Sequence, residues 1–400
     1  MGATAPAMAP PAPPSPTAAP PAPGGGRLRS VDIVRGLACV LMAIDHVRVY
    51  SGIPAGGPTP GVFFTRWVTH FVAPAFALYA GTGAFFLGRK LGDPAKLARF
   101  LVSRGLLLVV LEITVIRFFW TFGVDYSTFV LAGVIWMLGW CMVLLAAFVR
   151  LPAARVGWIG VGIVLCQQVL AFVPRAIPEA ARAPFGWFWE FIYASGNDQL
   201  PGVSVLYVIV PWIGVMMAGY GLGTILLWDD GRRRRALYRM GLGFIAVFLV
   251  VAVPVALARG GAEAPPFFVR VLNQQKYPAS QLFLLMTLGP MIALMPWAER
   301  ARGFVADALD MFGRVPMFYY LLHIPAIHLA AVIVMRLRGA AGYADWFSTA
   351  PYTGVPEDQR WNLGLLYAVY AVVLVVVLYP ACRWYARYKA THRHRWLTYI

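Results

Sequence analysis

The sequence predicts an all-α protein, a polytopic membrane helix bundle with about ten transmembrane helices, and three observations predict it. Hydrophobic residues make up 60% of the 400 residues and charged residues 13%, with a mean hydropathy of +0.67; soluble domains of this length do not have such a composition. Apolar stretches of about 18 residues or more recur along the chain, each long enough to cross a hydrocarbon core of roughly 30 Å as a helix. Basic residues gather in alternate connections between those stretches, as the positive-inside rule requires of a multi-pass protein.

In chain order, residues 1–26 are almost entirely Ala, Pro, Gly, Ser and Thr without a charge, which predicts a disordered tail of polyproline character. They lack the basic start and apolar core of a signal peptide. The predicted spans follow at 31–50, 67–88, 101–119, 127–148, 155–173, 203–228, 238–258, 279–297, 312–335 and 362–384, giving one membrane domain over 27–388 and a basic tail over 389–400. With the amino end in the cytoplasm, most of the 34 Lys and Arg residues fall in cytoplasmic segments, including the groups at 89–104, 232–239 and 383–395. That bias places both termini inside. The richness in Ala, Arg, Gly and Pro points to a GC-rich bacterial genome and hence to the bacterial inner membrane.

The net charge of +17 is accounted for by this topology and by anionic headgroups, so nucleic acid is not expected as a partner whereas membrane lipids are. The four cysteines, Cys39, Cys141, Cys166 and Cys382, form no CxxC pair and read as packing thiols, and no metal is expected. There is no Walker loop, HExxH or GxSxG, which counts against ATP-driven transport, zincin proteolysis and α/β-hydrolase chemistry. The Gly-rich pieces at 81–83 and 219–223 lie inside apolar spans and predict close helix contacts.

The first span breaks the apolar pattern, since Arg29 to Tyr50 carries Asp32, Arg35, Asp45, His46 and Arg48. Intramembrane charges cost roughly 2.5–3.5 kcal/mol each at a helix centre, so they mark a site or a buried pair. Residues eleven apart on an α-helix return to within about 20° of one face after roughly 16 Å. Arg35 and His46 have that spacing, on a stripe with Asp32, Cys39 and Met42. Asp32 and Arg35, three apart, are expected to pair.

Other ionisable groups gather towards the outer side of the proposed topology: Arg66 and His70, Glu112 and Arg117, Asp125, Asn197 and Asp198, the run Asn273 to Tyr277 with Lys276, and His328. His323 stands apart near the middle of its span. Five residues from His328, it is turned about 140° away, so the two histidines do not face one site. A bland reading remains for each, as a hydrogen-bonded structural residue in a helix bundle.

The arrangement RSxDxxRG, with His46 eleven residues after Arg35, resembles the first-helix signature of transmembrane acyltransferases. FTRWVTHFVAPAFALYAGTGAFF at 64–86, PWIGVMMAGYGLG at 211–223, KYPASQLFLLMTLGP at 276–290 and FGRVPMFYYLLHIPAIH at 312–328 extend the resemblance to the bacterial membrane family related to heparan-alpha-glucosaminide N-acetyltransferase. The resemblance implies transfer of an acyl group from acetyl-CoA or another acyl-CoA in the cytoplasm to the amine or hydroxyl of a sugar or glycan acceptor outside. By matching position His46 is the expected general base and Arg35, with Asp32, the holder of the donor. In the lysosomal enzyme the catalytic His is placed in the loop between the first two helices; here that loop, 51–64, contains no His, so His46 or His70 takes the part.

In such a site, Asp45 or Glu112 would orient the imidazole or stabilise its cation, Glu112 being better placed because Asp45 points about 100° from its neighbour. Arg66, Arg117, Lys276 and His328 are candidates to bind the acceptor, and the basic segments at 89–104 and 232–239 to meet the CoA phosphates. A proton-coupled transporter of a small polar substrate would use the same residue types, although no matching halves or paired broken helices are apparent. A non-catalytic membrane protein would leave the 35–46 spacing without a purpose. A homo-oligomer stays open.

Overall fold

The computed structural model describes residues 28–57, 59–127, 130–193, 202–261, 263–339 and 355–399; the predicted tail at 1–26 and the candidates Asn197 and Asp198 lie outside them. Among the described residues the chain is almost wholly helical: α1 (Arg29–Ser51), α2 (Pro60–Leu91), α3 (94–121), α4 (Val134–Ala146), α5 (Ala153–Ala176), α6 (Glu179–Ile192), α7 (Trp212–Leu226), α8 (Asp230–Ala258), α9 (Phe267–Leu272), α10 (Gln281–Ala298), α11 (Phe304–Arg314), α12 (Pro316–Leu337) and α13 (Leu363–Thr391). Two three-residue strands, β1 (Val130–Ala132) and β2 (Val203–Val205), pair in parallel.

Six of these helices, α2, α5, α8, α10, α12 and α13, are long and apolar enough to cross a membrane. α4 and α7 are apolar but shorter, because the strand pair occupies the ends of the predicted spans 127–148 and 203–228. The predicted span 312–335 divides between α11 and α12, where Pro316 opens a new helix that its missing N–H cannot disturb.

α1 is the central helix. It packs against α2, α10, α11, α12 and α13, and sixteen of its residues, charged ones included, are buried. Glycine lets α1 and α11 touch backbone to backbone, since a methyl group on Gly36 would enter the carbonyl of Leu309 and one on Gly313 the carbonyl of Asp32. Helices in lipid gain little from hydrophobic burial against each other, so such close van der Waals seams carry the association. Gly81 and Gly219 make the same contact between α2 and α7, as the Gly-rich pieces predicted.

The charge on α1 is absorbed locally. Arg35 Nη2 binds Asp32 Oδ1 at 2.5 Å, and its Nε donates to the carbonyl of Gly313 at 2.8 Å. Thirteen residues on, Arg48 Nε binds Asp45 Oδ1 at 3.0 Å and Nη1 donates to the carbonyl of Ile53. An isolated charge could not be held at this depth; a pair with further hydrogen bonds can.

Candidate active site

His46 and His323 meet, with His46 Nδ1 2.6 Å from His323 Nε2 and the rings stacked at 4.8 Å. α1 brings the first and α12 the second. His323 is wholly buried, and its Nδ1 lies 2.6 Å from the carbonyl oxygen of Tyr320, the residue three before it. That contact fixes the proton order, because a carbonyl only accepts. With both rings neutral, His323 Nδ1–H donates to Tyr320, His323 Nε2 accepts from His46 Nδ1–H, and His46 Nε2 is left with its lone pair.

Trp120 closes the other flank of His46, ring to ring at 4.9 Å in an edge arrangement. Its indole Nε1 is buried without a hydrogen-bond partner. A buried donor left unpaired costs about 1–3 kcal/mol. Tyr50 fixes this end of α3 by donating from its hydroxyl to the carbonyl of Trp120 at 2.7 Å.

Two chambers of different chemistry lie beyond the pair. The first, about 630 Å³, is walled mainly by apolar side chains from α2, α3, α4 and α12, with Arg35, Lys90, Lys96 and Arg104 among its lining. Tyr79 also lines it, with a buried hydroxyl that finds no partner. Its lining includes Tyr320, one turn of α12 from His323. At Arg104 the carboxyl end of the chain folds back: Arg104 Nη1 donates to the carbonyl of Thr398 at 3.1 Å, Ser103 and Tyr399 share a hydrogen bond, and Thr398 joins the lining.

The second chamber, about 480 Å³, is polar and is lined by Arg66, His70, Lys276 and the amides of residues 273–275. On α2 its lining ends at His70 and that of the first chamber begins at Phe76, six residues or roughly 9 Å further along the helix. Lys276, Asp45 and Arg48 act electrostatically on His46. The histidine pair is thus linked to the first chamber through Tyr320, one turn from His323 on α12, and to the second through the charge of Lys276.

The remaining sequence-predicted residues divide. Asp32 and Arg35 form the expected pair at the first chamber; Arg66, His70 and Lys276 come together at the second. The structure does not bring Glu112 to His46. Its Oε2 accepts from the backbone N–H groups of Ile135 and Trp136 at 3.0 and 3.2 Å, so it caps the amino end of α4. Asp45 turns to Arg48 instead of its neighbour His46. Arg117, expected at the acceptor, is buried and binds Thr121 and the carbonyls of Gly123 and Asp125, beneath the ring of Tyr126. His328 contacts the carbonyl of Phe119 at 2.9 Å and stacks on Phe122 and Tyr50. Of the two basic segments, 89–104 supplies the first chamber, while Arg233 of the other is engaged by Glu299, Asp230 and the carbonyl of Trp228.

Sequence reasoning missed His323 as the partner of His46, and missed Trp120 entirely. The 140° divergence of His323 and His328 did hold: one faces α1 at His46, the other faces Phe119. Among the described residues no group of three His, Cys, Asp or Glu side chains could hold a metal ion.

Comparison with protein families finds a match over residues 27–257 to the model described as heparan-alpha-glucosaminide N-acetyltransferase, catalytic. No curated protein matches the chain. The matched stretch holds Arg35, His46, Trp120 and the first chamber's basic residues; Lys276 and His323 follow it in the sequence.

Proposed function

The chain belongs to the heparan-alpha-glucosaminide N-acetyltransferase catalytic family, a family of membrane acetyltransferases, and we propose that it moves an acyl group, acetyl in the first instance, from acyl-CoA to an amine or hydroxyl of a sugar-type acceptor across the membrane. The observation that carries the reading is the contact of His46 with His323, one turn of α12 from Tyr320 in the lining of an apolar chamber that also holds four basic residues. CoA is a polyanion with a slender pantetheine arm, and the first chamber suits both parts: Arg35, Lys90, Lys96 and Arg104 for phosphates, the apolar walls for the arm. The basic bias of the connections supports a cytoplasmic side for that chamber and an outer side for the Lys276 chamber.

In this reading His46 Nε2 removes a proton from the acceptor nitrogen or oxygen as that atom attacks the thioester carbonyl. The new imidazolium keeps its Nδ1–H on His323 Nε2. Trp120 Nε1–H, otherwise unpartnered, donates to the tetrahedral oxyanion. Collapse breaks the carbon–sulfur bond, and His46 returns the proton to the departing CoA thiolate, which leaves as the thiol.

The test is CoA release from acetyl-CoA by the purified protein with glucosamine and a panel of envelope sugars, for wild type and His46→Ala. Acceptor-stimulated release that drops by about 10²–10⁴-fold in the variant is expected of a general base. Normal turnover in folded His46→Ala would remove His46 from that role. Substrate movement across proteoliposomes with no release of CoA would establish the proton-coupled transporter instead.

A further inference from the structure

The Lys276 chamber contains more positive charge than the described residues answer. Lys276 is only 7% exposed, and its ammonium lies over the rings of Tyr277 and Tyr207 at 5.1 and 5.6 Å. Arg66 shares the chamber wall, and among the described residues neither cation has a carboxylate within ion-pair distance. The acidic group that acts on this region is Asp45, which feels Arg48, Lys276 and Arg66 together but is bonded to Arg48 at 3.0 Å. Among the described residues three cations thus share one carboxylate. His70 also lines the space, with its Nδ1 buried and without a partner.

Tyrosine faces stabilise a buried ammonium only in part. Burying uncompensated charge is costly, and the usual remedy is an opposite charge brought into contact. The rest of the lining, Asn273, Gln274 and Gln275 with aromatic side chains and glycine, suits a hydroxylated, ring-shaped molecule.

We propose that this chamber binds an acid group, a carboxylate, sulfate or phosphate, carried by the acceptor. Arg66 grips the acid group with its planar fork, Lys276 supplies a point charge from the opposite wall, and His70 provides a neutral hydrogen bond. Held by its acid group, the acceptor presents its amine or hydroxyl towards His46. Calling the ligand an acceptor rests on the acyltransferase reading; the acid preference rests on the charges alone.

Two titrations of the purified full-length protein separate the ideas. In the first, glucosamine, glucosamine 6-sulfate, glucosamine 6-phosphate and glucuronate are compared as ligands of wild type, Arg66→Gln and Lys276→Gln. In the second, acetyl-CoA is the ligand of the same three proteins. Acid sugars should bind at least about tenfold more tightly than glucosamine, with either variant losing most of that ratio and acetyl-CoA affinity unchanged. The order among sulfate, phosphate and carboxylate identifies the acid group. If Lys276→Gln fails to bind acetyl-CoA as wild type does, its fold is suspect and Arg66→Gln decides.

Equal binding of neutral and acid sugars, binding of neither, or an acid preference that survives in folded Arg66→Gln would overturn the proposal. Acid preference without acetyl-CoA binding or turnover would leave the anion site standing and sink the acyltransferase reading. Turnover restricted to neutral acceptors would do the reverse.

Discussion

α1 carries the same device twice. Asp32 with Arg35 and Asp45 with Arg48 are both Asp-x-x-Arg, both paired on the same helix, at 2.5 and 3.0 Å, and both arginines also bind a backbone carbonyl. Their surroundings differ. Arg35 ties α1 to α11 through Gly313 and keeps a fifth of its side chain open towards the apolar chamber. Arg48 is 7% open and turns back on its own chain at Ile53, while Asp45 beside it has two further cations nearby. A local motif thus settles only its own pairing. What it contributes to a site is decided by the helices packed around it, here α11 and α12 at one end and the residue 273–277 segment at the other.

The largest effect is expected where the Arg35 end meets its neighbour. Gly313→Leu drives a side chain into the carbonyl of Asp32, separates α1 from α11 and costs about 3 kcal/mol or more; monodisperse yield and thermal unfolding in detergent report it. A well-folded variant would mean that the seam is not needed to seat Arg35.

Next comes the link between the ends. His323→Phe retains a ring to pack on Tyr319 but removes the acceptor of His46 Nδ1–H, and turnover should fall about a hundredfold while acetyl-CoA affinity holds. A change in affinity with kcat unchanged would reassign His323 to donor binding. Arg35→Gln should weaken acetyl-CoA about tenfold, the worth of one charge-assisted contact, and leave sugar binding as it was; loss of both together would make Arg35 a scaffold residue.

The smallest effect sharpens the comparison most. Asp45→Asn takes away the carboxylate shared by the three cations, so acid sugars should bind about threefold more tightly, whereas Asp32→Asn should bring no such gain. Identical titration curves for the two variants would show that the pairs are equivalent after all.

Much of this was legible in the sequence because it is local. Apolar stretches announced an all-α membrane protein, although six helices, not ten, are long and apolar enough to cross a membrane among the described residues; three-residue spacing paired Asp32 with Arg35, and the Gly-rich pieces announced close helix contacts. The meeting of His46 with His323 joins residues 277 apart, and a helical wheel says that His323 and His328 diverge without saying which one faces α1. Glu112 was misjudged for a different reason. The fourth span was expected from residue 127, but α4 begins at Val134 after Gly133. A helix starting there inside the bundle leaves N–H groups that call for an acceptor, and Glu112 Oε2 supplies it.

Thr398, held by Arg104 at the apolar chamber, bears on how the protein is handled. A purification tag fused after Ile400 begins three positions beyond that contact, beside the basic residues expected to meet the donor. Fused instead ahead of residues 1–26, the same tag is separated from α1 by a long uncharged spacer. Comparing kinetics between the two fusions is therefore a control that any assay of this protein should include from the start.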